Sequence, residues 1–217
     1  MSSFPGLTRK LIRQWDRHAA RYDRMSQPME HMLGFEENRA RLFEGLGGEV
    51  LELGAGTGRN PLHYPQNAWV LASDLSRNML AQMRRKARAL ARTVPCVLAD
   101  AEDLPFRDGS FDAIVATGVF CCVPDPVRGF REARRVLKPG GRLLLIEHVQ
   151  PGGLMGWVFD LMDPLVSRLM GPHINRATVE SLRAAGLAVI REENLHSDWV
   201  KLIVAQSIEG ERQWQPR

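Results

Sequence analysis

Gly54, Gly56 and Gly58 stand at alternate positions in "EVLELGAGTGRN" (49–60), with Glu52 two residues ahead of the first. Glycine serves where φ is positive or where something must approach bare backbone, and each one costs entropy on folding. A turn alone rarely needs three in five residues, so the pattern implies a ligand seated on this loop. Asp74 in "LASDLSRNML" and Asp100 in "ADAEDLPF" close the next two apolar runs. A carboxylate ending the second strand of such a unit accepts the hydroxyls of a ribose, and one ending the third can accept from an exocyclic adenine amine. The spacing is G-x-G-x-G, one residue short of the dinucleotide pattern G-x-G-x-x-G, and Arg59 is the basic residue of the loop. The ligand implied is a nucleoside without phosphates, cationic if anything. Glu52 either touches that ligand or supports its own loop from below.

The elements that must position these residues alternate. "EVLEL" reads as a strand leading into the glycine loop and a short helix. "AWVLASD" (68–74), "PCVLAD" (95–100), "FDAIVATGV" (111–119) and "RLLLIEHV" (142–149) read as further strands. Between them lie the Arg-rich helix "SRNMLAQMRRKARALAR" and the helix "PVRGFREARRVL", which ends at the breaker "KPGG". Continuous apolar strands alternating with helices predict a parallel sheet covered on both faces. In such sheets ligands bind beyond the C-terminal strand ends, where strand order reverses. A helix over "GLMGWVFDLM", another near 177–185, and the strands "LAVIREENL" and "WVKLIVAQ" follow. Two successive strands joined by a turn form a hairpin, which makes the last strand antiparallel.

Upstream of the glycine loop, residues 7–24 read as one helix and about 35–46 as a second. Arg9, Arg13, Arg17 and Arg21 recur every four residues, with Leu7, Leu11, Trp15, Ala19 and Tyr22 on the other side. The expected organisation is an N-terminal helical segment (1–48) over the ligand site, a core domain (49–206) with an acceptor-side helical insertion (153–176), and a loose tail (207–217). At 217 residues the chain has ample length for one core. Its net charge of +4 is too mild to imply nucleic acid. Cys96, Cys121 and Cys122 form neither a disulfide framework nor a metal spacing, which fits a reducing cytoplasm. The N-terminus shows no secretory h-region. The most apolar run, 153–171, is interrupted by Asp160, Asp163 and Pro164 and so is no membrane span.

"VLELGAGTGRN", "LASDLSRNML", "ADAEDLPFRDGSFDAIVA" and "EARRVLKPGGRLLLIEH", in this order across roughly residues 12–150, resemble the successive motifs of class I S-adenosylmethionine-dependent methyltransferases. The branch resembled is that of ubiquinone and menaquinone biosynthesis. The resemblance implies an α/β fold, a Rossmann-like three-layer sandwich with a seven-stranded, mostly parallel sheet whose last strand is antiparallel. It implies S-adenosyl-L-methionine as cofactor, with Gly54, Gly56 and Gly58 cradling its methionine part, Asp74 on the ribose, Asp100 on the adenine and Ala101 offering backbone. Thr117 would line the methionine end, and Glu52, Ala55, Leu75, Met79 and Glu102 complete the expected cofactor contacts. Tyr22, in "WDRHAARYD", resembles the N-terminal motif that closes over the cofactor.

Methyl transfer from a sulfonium is an in-line displacement that needs proximity and water exclusion, and the sequence accordingly offers neither a triad nor a metal set. Tyr22 and His148 are the catalytic candidates, and His173 in "GPHINR" falls where the acceptor should lie. Each has a plain structural alternative: helix docking for Tyr22 and Trp15, a satisfied histidine for His148, small apolar filling for Cys121 and Cys122.

Two features suggest a lipophilic acceptor: the basic amphipathic first helix, and the apolar set Leu154, Met155, Trp157, Val158, Phe159, Leu161 and Met162. "GVFCCVPDPVRGFREARRVLKPGGRLLLIEH" with the segment after it is similar to soluble bacterial phosphatidylethanolamine N-methyltransferases. The expected partners are thus a small-molecule or lipid substrate and an anionic membrane surface, without nucleic acid. The expected location is cytoplasmic, extending to the inner membrane face. The expected activity is N-methylation of phosphatidylethanolamine headgroups at the membrane surface. Quinone C-methylation, whose C-terminal pattern is not evident here, a thiol or small-amine acceptor, and a non-catalytic nucleoside-binding module are the alternatives. A nicotinamide oxidoreductase is disfavoured by the glycine spacing.

Overall fold

The computed structural model describes residues 6–170, 173 and 175–207, without the side chains of 6–8, 154–155 and 164–170. The strands are β1 (Gly48–Leu53), β2 (Ala68–Asp74), β3 (Cys96–Leu98), β4 (Phe111–Thr117), β5 (Leu137–His148), β6 (Leu187–His196) and β7 (Val200–Ser207). They form a single sheet in the order β3-β2-β1-β4-β5-β7-β6. β1 to β5 pair in parallel. β7 runs antiparallel to both β5 and β6 and lies between them. The strand order reverses between β1 and β4, so the loops after these strands open onto one crevice.

The helices are α1 (Gly6–His18), α2 (Tyr22–Met32), α3 (Phe35–Phe43), α4 (Arg77–Ala89), α5 (Pro126–Val136), α6 (Gly153–Met170) and α7 (Thr178–Ala184). Side chains alternate across each strand, and the two faces of the sheet therefore build two cores. Leu51, Leu53, Ile114, Leu143, Leu145 and Ile203 pack on the side of Phe130 in α5 and Leu182 in α7. Val50, Val70, Ala72, Val115, Ile146 and Leu202 pack on the side of Leu42 in α3 and Leu80 and Met83 in α4. The result is three layers, helix, sheet and helix.

Local chemistry sets the helix starts. Ser76 caps α4, its hydroxyl accepting from Met79 N at 3.1 Å. Asp125 caps α5, accepting from Arg128 N at 3.0 Å, with Pro126 at the first helical position.

Three elements differ from the sequence reading. The expected helix over 7–24 is interrupted at 19–21, so α1 and α2 are separate. The glycine loop is followed by a 3₁₀ turn, Pro61–His63, and no α-helix. β5 begins at Leu137, ahead of the expected residue 142, and the "KPGG" stretch is taken up as a register jump between Phe111↔Leu137 and Ala113↔Arg142. The side chains of Leu7, Leu154 and Met155, and the expected tail beyond Ser207, lie outside the described residues.

Candidate functional site

β1 delivers the glycine loop, β2 ends on Asp74, β3 leads into Asp100, and β4 ends on Thr117. These termini surround a cavity of about 340 Å³, roofed by Leu11, Trp15 and His18 of α1 and Tyr22 and Met25 of α2. Leu75, Met79, Ala99, Ala101, Val119 and Val123 supply its apolar wall. A second cavity of about 170 Å³ adjoins it, walled by Glu52, Ala55, Asn60, Cys121, His148 and His173. Tyr22, Gly54, Gly56, Thr117 and Gly118 line both.

The three glycines are needed for different reasons. All have positive φ: +61° at Gly54, +54° at Gly56 and +81° at Gly58. A Cβ on Gly54 would meet Val119 Cγ2 at 2.5 Å, and one on Gly58 would meet the Met83 backbone at 2.8 Å. Those two glycines permit close internal packing, and Gly58 lines neither cavity. A Cβ on Gly56 would find only Gly54 O, at 3.8 Å. Gly56 is bare toward the cavities, so a ligand can approach its backbone closely.

Asp74 Oδ2 accepts from Gly56 N and Oδ1 from Ser76 N, both at 2.8 Å. Each oxygen keeps a lone pair for a ligand hydroxyl. Burial pushes this carboxyl up to about 6, against the pull of those two backbone bonds. Asp100 lines the larger cavity and accepts from Glu102 N at 3.0 Å. Glu102 itself turns away and accepts from Asp125 N at 2.8 Å.

Glu52 is held by its own loop while also walling the smaller cavity. It is 1% exposed; Oε1 accepts from Asn60 Nδ2 at 2.7 Å and Oε2 from the Tyr64 hydroxyl. Burial raises it to about 7. The chain of contacts continues outward, since Asn60 Nδ2 also reaches Thr117 Oγ1 at 3.2 Å and Arg39 Nη1 donates to Asn60 Oδ1 at 2.7 Å. Arg39 in turn pairs with Glu30 of α2. Asn60 and Arg39 are site residues that the sequence reading missed. The signal for Asn60 was its place directly after the glycine loop.

The roof is tied down at one end. Asp16 Oδ1 accepts from Ser76 Oγ at 2.5 Å and from Asn78 N at 3.0 Å, joining α1 to the start of α4. The apolar face of α1 is thereby turned onto the larger cavity, while Arg13, Arg17 and Arg21 are exposed. Tyr22 stacks edge-on against Trp15, ring centroids 6.0 Å apart, and burial raises its phenol far above its ordinary value. His148 packs on Phe35 at 4.9 Å, and burial lowers its imidazole to about 4. Cys121 and Cys122 lie with Sγ atoms 3.7 Å apart, and the hydrogen bond shared with Cys122, together with burial, raises the Cys121 thiol. Among the described residues no group of three or more His, Cys, Asp or Glu side chains could hold a metal ion.

Residues 51–145 match the methyltransferase domain family model. The demethylmenaquinone methyltransferase of Clavibacter sepedonicus is 35% identical over 177 residues, covering 72% of each chain. That of Corynebacterium efficiens is 40% identical over 154 residues, 67% of this chain and 64% of the relative. A relative of the same name from Mycobacterium sp. strain JLS is 40% identical over 116 residues, spanning 48% of its own length. Among solved structures, the [4+2]-cyclase SpnF superposes with a TM-score of 0.65 at 24% identity, covering 81% of each chain. A geranyl diphosphate methyltransferase in complex with SAM gives 0.65 at 18%, covering 80% of this chain and 84% of that one. These two likenesses speak for the fold alone.

Proposed function

This chain belongs to the class I S-adenosylmethionine-dependent methyltransferases, on the quinone-biosynthesis-like branch, and from that membership we propose that it methylates a lipophilic acceptor of quinone type. The observation that carries the acceptor reading is the relationship to demethylmenaquinone methyltransferases at 35% identity over 177 residues. The two adjoining cavities support it. In this reading the larger holds the adenosine of the cofactor, with Asp74 on the ribose hydroxyls, Asp100 on the adenine amine and Ala101 offering backbone. Gly54, Gly56 and Thr117 flank the methionine end, and the acceptor enters the smaller cavity. When bound, S-adenosylmethionine supplies a sulfonium methyl for in-line displacement. The chain's part is alignment and the exclusion of water by the α1–α2 roof. At about 170 Å³ the smaller cavity is below the usual size of a whole-ligand pocket, roughly 300 Å³ or more. Only the reacting head of a lipophilic acceptor fits inside.

A second reading, N-methylation of the phosphatidylethanolamine headgroup at an anionic inner membrane face, is favoured by one specific arrangement. Met25, Met29 and Met32 are exposed along α2, and Met25 and Met29 also line the cavities. They lie just beyond the exposed arginines of α1. The inward turn of the α1 apolar face leaves charge attraction and α2, rather than insertion of α1, to make such a contact. Among the described residues no helix is long and apolar enough to cross a membrane.

The test is transfer of labelled methyl to four acceptors: short-chain demethylmenaquinol, phosphatidylethanolamine vesicles, an alkanethiol and a small amine. Preferential labelling of the quinol is the expected result. Labelling of the lipid amine alone overturns it in favour of the second reading.

A further inference from the structure

We propose that His173, oriented by Asp163, is the general base that removes the proton the methyl acceptor must lose. The proposal rests on the reading above that the acceptor enters the smaller cavity. His173 lines that cavity beside Cys121 and His148. Its backbone N donates to Cys121 O at 2.9 Å, which fixes the residue against the cavity wall. Its Nδ1 lies 2.8 Å from Asp163 Oδ2. The two partners differ sharply in exposure: the Asp163 side chain is 9% exposed and the His173 side chain 40%.

That difference assigns roles. A carboxylate accepts and cannot donate, so the proton of a neutral imidazole sits on Nδ1 and the lone pair on Nε2. Asp163, buried on α6, holds the ring and stabilises the imidazolium once formed. Acting through His173, it is a positioning residue. A quinol hydroxyl, a thiol and a lipid ammonium all share one requirement, the loss of a proton before or during attack. The step balances without a further reactant. The acceptor atom forms its bond to the methyl carbon as the carbon–sulfur bond breaks, and sulfur keeps that electron pair. The acceptor's proton passes to Nε2, leaving an imidazolium paired with the Asp163 carboxylate.

The other groups around the cavity are less suited. His148 is packed on Phe35, and among the described residues no ion pair or hydrogen bond joins it to a carboxylate. A proton placed there would be a buried charge without a counter-ion. Tyr22 and Cys121 carry their own protons, both held tightly by burial.

The experiment compares wild type, His173→Ala and Asp163→Asn with labelled cofactor on two acceptors, short-chain demethylmenaquinol and phosphatidylethanolamine vesicles. His173→Ala should lower kcat by roughly 10²- to 10⁴-fold, with S-adenosylhomocysteine affinity unchanged, and added imidazole should restore part of the rate. Asp163→Asn should lower kcat by less and leave acceptor KM alone. A His173→Ala protein that keeps its kcat on an acceptor the wild type methylates overturns the proposal. If the wild type methylates neither, the acceptor reading fails by itself, and nitrogen NMR of the histidines decides the base. Neutral His173 protonated at Nδ1, and losing that preference in Asp163→Asn, supports it. Neutral His173 protonated at Nε2 overturns it.

Discussion

If Asp74 takes the ribose hydroxyls as proposed, it links cofactor affinity and stability to pH in opposite directions. Its folded value of about 6 stands well above the ordinary 3.8 because of burial. From about pH 4 to about pH 6 the native state holds a proton that the unfolded chain has released, so this residue stabilises the fold more in acid. Between about pH 4 and pH 7 its contribution to stability falls by roughly 3 kcal/mol. Glu52 and Glu147, both raised to about 7, act in the same sense. Ligand hydroxyls need the ionised carboxylate as acceptor. Affinity should therefore be flat above pH 7 and weaken about tenfold for each unit below pH 6. Asp74→Asn keeps the shape and one acceptor oxygen but loses the charge. At pH 7.5 it should weaken binding by roughly 1.5 to 3 kcal/mol per charge-assisted bond lost, about 10- to 150-fold for one. It should also flatten the pH dependence. Calorimetry with S-adenosylhomocysteine from pH 5 to 8, beside thermal melts in the same buffers, reads both slopes. Wild-type affinity independent of pH, or Asp74→Asn binding as tightly as wild type, refutes the reasoning.

The glycine loop gives a paired contrast. Gly56→Val should lose cofactor binding with the fold retained, whereas Gly58→Ala, driven into the Met83 backbone, should lower Tm by roughly 4–12 °C, as 2–3 kcal/mol does in a chain of this size; circular dichroism melts and calorimetry separate them. Asp16→Ala removes the acceptor for Ser76 Oγ and Asn78 N and should release α1, seen as faster proteolysis before residue 22 and at least fivefold weaker cofactor binding. Arg13→Glu with Arg17→Glu should abolish any sedimentation with anionic vesicles at low salt while leaving cofactor affinity intact. Wild-type protein that stays in the supernatant at low salt removes the membrane reading.

The sheet was legible because its inner strands are continuous apolar runs: "AWVLASD" maps onto β2 residue for residue. The hairpin of β6 and β7 was legible too, since nothing but a turn separates them. What escaped depends on partners distant in sequence. Arg39 reads as an ordinary polar helix residue until Asn60 and Glu30 close around it. The need for Gly58 is set by Met83, which no loop pattern reveals. The break between α1 and α2 was hidden by an arginine stripe that runs straight through it. The α1 apolar face was open to two uses, a cover over the ligand site and a membrane contact. Amphipathicity states that a face will be covered but not by what, and here a cavity roof competes with a bilayer. The His173–Asp163 pair goes with a contact distant in sequence, His173 N meeting Cys121 O in the turn after β4.

The place of β7 between β5 and β6 has a consequence for the order in which the chain can become whole. While residues 137–148 are being made, β5 has β4 on one side and an open edge on the other, because the strand that covers it is residues 200–207. The intervening β6 cannot cover that edge, since its own pairing is to β7. A nascent chain therefore carries every residue that lines the larger cavity and an apolar, unpaired strand edge, Leu143 to Ile146, until more than fifty further residues have been added. Such an edge is a template for intermolecular pairing. Closing β7 into this slot is a contact of long sequence separation, the kind that loop-closure entropy makes slow. Loss of the last strand would leave the β1–β5 half of the sheet built and the molecule prone to aggregate.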